Sequence, residues 1–372
     1  MTAAFPRSGT GSPLSPAMGM GTSPIIKNSN INRCISAAVP ILSLKEENML
    51  SVIIPVYNVE KYIPRCARSL FGQTLEDVEF IFVDDCSTDG SVRALQATLE
   101  LYPERIPQTR ILSHQENGGV SKARNTGMSA AEGDYVYHCD SDDYLEKDML
   151  ERLYDFARES GYDIVWSDWY LSYPVTERYM SQPRYASAGE ALAGILSGEM
   201  KFNVWNKLFK ACLFTDNGIR FPEGHPMGDD MTVIRLFACA KDVGYMPVAF
   251  YHYARTNDAS YTRARSAARF DDIFYNADQT ISFIREKFHT KYDRELMFFK
   301  LDTKYPFLIS DDRMMYRIWK GHYPEADRYI LENRRVSVRS RILQYAASKG
   351  CFWFVWLHYK IVYGLVYKMI FK

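Results

Sequence analysis

Apolar positions along this chain follow two rhythms that alternate. Ser51-Val52-Ile53-Ile54-Pro55-Val56 is a β-branched run of the kind shown by a strand buried on both faces. After Tyr57-Asn58, the apolar residues Tyr62, Ile63, Cys66, Leu70 and Phe71 recur at helical spacing. Residues 78–83 read as a second strand, 91–101 as a helix and 110–112 as a short third strand. A further helix opens at Ser121, and Gly133-Asp134 turns the chain into a fourth strand over Tyr135-Val136-Tyr137-His138-Cys139. Strands alternating with helices predict an α/β fold whose mainly parallel sheet is covered by helices on both faces. Residues 162–166 read as one more strand before the rhythm weakens. A helix over 231–239 and a strand ending in Tyr251-His252-Tyr253 follow, and from about Phe270 the pattern is helical.

In a parallel sheet, the loops after successive strands gather along one edge, where open α/β sheets bind ligands. Here those loops are polar: Asp84-Asp85-Cys86-Ser87-Thr88-Asp89-Gly90, His114-Gln115-Glu116-Asn117-Gly118-Gly119, and Asp140-Ser141-Asp142-Asp143. The last is the most telling. Three carboxylates at the tip of a buried strand repel one another unless a cation sits among them. They read as a divalent metal site for a phosphate-bearing ligand. Taken alone the tetrapeptide also fits an acidic turn with Asp143 capping a helix; the polar loops after the neighbouring strands favour the site. Asp84 and Asp85 can accept hydrogen bonds from a base or ribose. Gly118-Gly119 permits close backbone approach, and Arg124 can pair with phosphate or a base carbonyl. Mg2+ or Mn2+ bridges carboxylates and phosphates in this way. No G-x-x-x-x-G-K-S/T occurs, and no G-x-G-x-x-G follows the first strand, which argues against a P-loop NTPase and a dinucleotide oxidoreductase.

Four ordered motifs, at 51–58, 83–91, 117–125 and 140–143, closely resemble glycosyltransferase family 2, the inverting, metal-dependent nucleotide-sugar transferases of the GT-A fold. The resemblance covers roughly residues 50–255. It implies that Pro55 and Tyr57 flank the uracil of a UDP-sugar and that Asp85, Asn117 and Arg124 read the base. Asp140 then contacts the ribose with Ser141 beside it, and Asp142, with Asp140, binds the metal. An inverting transferase needs a base to deprotonate the acceptor hydroxyl. Asp229-Asp230 resembles the family's Glu/Asp-Asp motif, in which the second acid usually serves. Asp at the first position departs from the commoner Glu, so the division of roles between Asp229 and Asp230 stays open. His252 is a candidate ligand for metal or diphosphate by the same resemblance. Trp205 and Lys207 are candidates for lining the donor or acceptor pocket.

Composition narrows the partners. Lys and Arg number 45 against 45 Asp and Glu, which disfavours a nucleic-acid binder. Seven Cys and seven His show no zinc spacing, and scattered Cys suit a reducing cytoplasm. Residues 1–48, rich in Pro, Gly and Ser, read as a disordered extension without a secretory core, and Met49 is a candidate natural start. The expected division is 1–48, a catalytic domain over 49–260, and a helical region over 261–372. Within the last, residues 328–349 carry Arg328, Arg334, Arg335, Arg339, Arg341 and Lys349 against one acid, Glu332, before an aromatic tail. Such a sequence suggests peripheral attachment to an anionic membrane at its inner face; packing on the catalytic domain is the other reading. The expected acceptor is a glycan, lipid-linked, in surface polysaccharide synthesis. A polyprenyl-phosphate transferase and a sugar-nucleotide nucleotidyltransferase are the rival functions.

Overall fold

A computed structural model of the chain describes residues 49–225, 231–255 and 268–362. The first four strands are β1 (Leu50–Val56), β2 (Val78–Asp84), β3 (Thr109–Ser113) and β4 (Tyr135–His138). Helices α1 (Ile63–Phe71), α2 (Ser91–Leu99) and α3 (Gly119–Ala130) connect them. β2 and β4 flank β1 and β3 flanks β2, all parallel, so the sheet begins β3-β2-β1-β4. Alternation along β2 puts helices on both faces. Phe80 and Phe82 meet Phe71 of α1 at 5.6 and 5.9 Å between ring centroids, while Ile81 and Val83 pack with Ala123 of α3. Gly127 lets α3 close onto β1: a Cβ there would come within 2.4 Å of Ile53 Cγ2.

Beyond β4 the sheet is mixed. The chain continues through β5 (Tyr144–Leu145), α4 (Met149–Ser160), β6 (Ile164–Ser172), β7 (Glu177–Met180), α5 (Ala188–Leu196), β8 (Lys207–Lys210), α6 (Cys212–Thr215), α7 (Thr232–Cys239) and β9 (Val243–Ala254). The strand order is β3-β2-β1-β4-β8-β6-β9-β5, with β7 paired to β6. β8 runs antiparallel to β4 and β6, β9 is parallel to β6, and β5 is antiparallel to β9. β5, β7 and β8 have no counterpart in the sequence reading. Each spans two to four residues, too short for a period-2 pattern to register.

The helical region comprises α8 (Ala268–Phe288), α9 (Asp293–Lys304), α10 (Arg313–Gly321), α11 (Val338–Ser348) and α12 (Phe352–Tyr359). Ala277, Ile281 and Ile284 of α8 and Leu296 and Phe299 of α9 belong to the same apolar core as β1 and β2. A second core forms around Trp319, Phe307 and Met297. α8 and α9 contribute to both cores, so part of this region packs on the sheet-bearing half.

Candidate active site

The polar loops do converge at the C-terminal edge of β1, β2, β3 and β4. Asn58 and Asp89 tie the first two together: Asn58 Oδ1 accepts from Thr88 N at 2.8 Å, and Asp89 Oδ2 from Glu60 N at 3.1 Å. Asn58 holds φ at 52° and Cys86 at 63°, two non-glycine residues in the left-handed region at adjacent strand ends. Pro55 is partly covered and Tyr57 is 47% exposed on this rim.

Asp85 is buried, and its carboxylate organises the third loop. Oδ1 accepts from Gly118 N at 2.8 Å and contacts His114 Nδ1 at 2.7 Å; Oδ2 accepts from Gly119 N at 2.7 Å. Asn117 Nδ2 donates to the Asp85 carbonyl at 3.2 Å. His114 is held from its other side by Thr126 Oγ1 at 2.9 Å. A carboxylate has about four acceptor sites, and three are engaged here. Asp85 therefore sets the backbone of the Gly118-Gly119 turn, where Gly119 has a φ of 83° that favours glycine.

Arg124, one turn into α3, is almost wholly buried and donates from one terminal nitrogen to Asp140 Oδ1 at 2.9 Å. Its guanidinium lies 5.4 Å from the Phe221 ring centroid. Asp140 keeps 28% of its side chain exposed, and Ser141 beside it is buried. Asp142 is partly exposed, and its carbonyl accepts from Arg65 of α1 at 2.7 Å. Arg65 also lies over the Tyr144 ring at 4.5 Å. That places a second cation beside the acidic tetrapeptide, one that helical spacing in α1 gave no reason to single out.

Asp143 does not cap a helix. It is fully buried, accepting from Tyr251 Oη at 2.6 Å and from Ala254 N at 2.7 Å. Burial above all, and then the charges of Asp142 and Asp140, push its pKa well above the usual carboxylate range. Tyr251 joins the two halves of the site, because its oxygen also accepts from Asp140 N at 3.2 Å. Trp205 stacks on Tyr251 at 4.5 Å and 14° and on Tyr253 at 5.4 Å and 11°. Trp205 and Lys207 are both buried. Lys207 Nζ donates to the carbonyls of Lys201 and Asn203 and to Asn206 Oδ1 at 2.7–2.8 Å, cross-linking the 201–207 segment.

His252 lies between the Tyr144 and Tyr170 rings, 4.3 and 4.8 Å away. Its Nδ1 meets Glu177 at 2.7 Å and its Nε2 meets Glu146 at 2.9 Å. Both ring nitrogens are thus engaged by carboxylates in this arrangement. No group of three or more His, Cys, Asp or Glu among the described residues is placed to hold a metal ion. The carboxylates of the tetrapeptide that keep some exposure are those of Asp140 and Asp142. Two carboxylates suit Mg2+ or Mn2+ that completes its shell with water and phosphate oxygens, the usual arrangement for these ions.

Asp229 and Asp230 lie outside the described residues, but the segment leading to them is firmly held. Asn125 of α3 accepts from Phe221 N at 2.9 Å and donates to Phe221 O at 2.9 Å and Glu223 Oε1 at 2.8 Å. His225 Nδ1 meets Asp272 of α8 at 2.7 Å, its ring stacks on Tyr275 at 4.0 Å, and its carbonyl accepts from Asn276 at 2.9 Å. Asn125 ends the same motif that supplies Gly118, Gly119 and Arg124, so one helix start fixes both the third loop and the approach to the paired acids.

A sheet of this order, with polar loops at the tips of its parallel strands and paired carboxylates after the fourth, defines a GT-A-like nucleotide-sugar transferase fold. The family model for glycosyl transferase family 2 matches residues 51–226. Glycosyltransferase GlyG of Streptococcus pneumoniae serotype 4 is 30% identical over 220 residues, 56% of this chain and 71% of that protein. The uncharacterized glycosyltransferase EpsJ of Bacillus subtilis is 34% identical over 227 residues, 58% of this chain and 63% of that protein. Among solved structures, S. aureus TarS 1-349 in complex with UDP-GlcNAc superposes with a TM-score of 0.63 at 21% identity, covering 85% of this chain and 91% of the other. The chain belongs to glycosyltransferase family 2.

Proposed function

We propose that this chain moves a sugar from a UDP-sugar to a glycan acceptor with inversion at the anomeric carbon. The carrying observation is the Arg124–Asp140 pair. A buried guanidinium beside two carboxylates at a strand tip suits a ligand with polar sugar hydroxyls and a charged diphosphate. Pro55 and Tyr57 would cover one face of the uracil, while Asp85 would act with Asn117 to shape the backbone that meets the base. Asp140 and Ser141 would face the ribose. Asp140 and Asp142 would hold Mn2+ or Mg2+, whose charge offsets that building up on the departing diphosphate. The TarS complex of the same fold holds UDP-GlcNAc, in keeping with this donor class.

In the transfer step an acceptor hydroxyl attacks the anomeric carbon and gives its proton to Asp230, or to Asp229. The bond from that carbon to the diphosphate oxygen breaks, and UDP leaves. The clamp of Asn125 on Phe221 and Glu223 supports this role for the paired acids, since a base must be held within hydrogen-bond reach of its proton. His252 would serve as a brace between Glu146 and Glu177 in place of a metal ligand. The catalytic unit would span 49–260 and the helical region 261–372.

A lipid-linked acceptor is supported by the surface of α11 and α12. Val338 and Trp353 are 61% and 69% exposed, and Ile342, Trp356, Leu357 and Ile361 are exposed beside them. Arg334, Arg339, Arg341 and Lys349 lie in the same stretch. Exposed aromatic and aliphatic groups interleaved with cations suit the surface of an anionic membrane. No helix among the described residues is long and apolar enough to cross a membrane, so the attachment would be peripheral. A UDP-release screen over a panel of UDP-sugars with Mn2+, with and without lipid-linked acceptors, tests the reading. Release of pyrophosphate from UTP and a sugar phosphate would point to a nucleotidyltransferase instead. Full transfer to polyprenyl phosphate by Asp230→Asn would point to an anionic acceptor that needs no base.

A further inference from the structure

One face of α1 follows the main chain of the acidic loop. Cys66 Sγ lies 3.7 Å from the Asp140 carbonyl, and Ser69 Oγ accepts from Leu145 N at 3.2 Å. Gln73, just past the helix, donates to Glu146 O at 2.7 Å and accepts from Leu150 N at 3.0 Å. Cys66 and Ser69 are three apart and Arg65 and Ser69 four apart, which puts all three on one side of a helix. These contacts meet backbone, so they fix the path of the loop whatever its side chains bind. Arg65 is the charged member of the row. One terminal nitrogen donates to Asp142 O at 2.7 Å, and the guanidinium lies 4.5 Å from the Tyr144 ring centroid. Its Nε is buried, so the charge is partly withdrawn from water and acts more strongly on its surroundings.

The two arginines beside the tetrapeptide differ in what they meet. Arg124 is paired with the Asp140 carboxylate at 2.9 Å, so each charge offsets the other. Arg65 meets a neutral carbonyl, which dampens its positive field far less. A divalent cation arriving alone at Asp140 and Asp142 is repelled by that field, whereas a diphosphate is attracted. We propose that Arg65 governs the order of loading at the donor site, so that a divalent cation is held well only together with a nucleoside diphosphate. This role rests on the reading of Asp140 and Asp142 as the metal pair. It has a signature that a structural role lacks. Loss of a backbone anchor weakens cation and diphosphate alike, while loss of a positive charge moves them in opposite directions. Cys66, Ser69 and Gln73 keep the loop in place when Arg65 is replaced, so a neutral side chain there reports the charge.

Full-length wild type, Arg65→Gln and Arg65→Lys are each titrated with MnCl2 alone and, in chelator, with UDP alone. Electron paramagnetic resonance counts free Mn2+, and saturation-transfer NMR reads UDP. Arg65→Gln should bind Mn2+ about threefold or more tighter and UDP about threefold or more weaker, and added salt should shrink both changes. Arg65→Lys, which keeps the charge, should stay within about twofold of wild type for both ligands. Changes in the same direction for the two ligands overturn the proposal, and so does unchanged Mn2+ affinity. An Arg65→Lys variant that behaves like Arg65→Gln overturns it as well. Wild-type protein that binds UDP no better with Mn2+ than in chelator overturns the metal reading itself, and this role with it.

Discussion

Asn125→Ala separates the catalytic clamp from the donor site. The wild-type side chain is 4% exposed and makes three hydrogen bonds, two to the backbone of Phe221 and one to Glu223. Alanine leaves the amide and carbonyl of buried Phe221 without these partners. At about 1–3 kcal/mol for each unsatisfied group, the loss is roughly 2–6 kcal/mol. Native domains carry about 5–15 kcal/mol, so the variant should still fold in the cold, with a melting temperature lower by about 5–15 °C. The kinetic effect should be selective. Gly118, Gly119 and Arg124 precede Asn125 and keep their own partners, so calorimetry should find UDP affinity within about twofold of wild type. The loosened 221–225 segment leads to Asp229 and Asp230, and kcat, measured at least 15 °C below the melting point, should fall by about tenfold or more. Glu223→Gln, which keeps an acceptor at that position, serves as the mild control. An unchanged melting temperature would refute the clamp. A lowered melting temperature with normal kcat would refute its link to catalysis.

Four further outcomes follow from the site. Asp142→Ala should abolish turnover and Mn2+-dependent UDP binding, read by calorimetry with and without chelator; near-normal activity in both buffers rules out the metal assignment. UDP should bind the wild-type protein more tightly than GDP, and equal affinities would contradict a uracil site shaped by Asp85 and Arg124. Asp230→Asn should lose about 10²–10⁴-fold in transfer while binding UDP normally; ordinary activity there beside a dead Asp229→Asn reassigns the base. Full-length protein should float with anionic liposomes at low salt and be released at high salt, because surface attraction is screened. Failure to float at low salt would sink the peripheral-attachment reading.

The first half of the fold was legible because each of its elements carries its own periodicity. A parallel strand buried on both faces is written as a continuous apolar run, and residues 51–56 and 78–83 are such runs. The tips of those strands follow directly, which is why the convergence of Asp85, Gly118-Gly119, Arg124 and Asp140 was visible before any coordinates. The mixed half was not legible for the opposite reason. β5, β7 and β8 are short strands whose existence depends on partners far along the chain, and no local pattern encodes such a partner.

The site shows the same division at the level of single side chains. Sequence identifies which polar residues stand at a strand tip but not which of them face inward. Asp143 shares its tetrapeptide with Asp140 and Asp142, yet it is the one turned into the protein, against Tyr251 and Ala254. Burial, and then the charges of Asp142 and Asp140, push its pKa well above the usual carboxylate range. Residue type alone would count three equivalent carboxylates. The fold divides them into two that stay partly exposed and one that bonds to β9. The same logic explains His252. Two carboxylates, one before α4 and one on β7, arrive at its ring nitrogens from 106 and 75 residues away. Because both contacts are non-local, the brace exists only after the mixed sheet has formed. The candidate metal pair draws on both halves: Arg65 of α1 and Arg124 of α3 hold it from the parallel half, and Tyr251 of β9 accepts from the Asp140 amide.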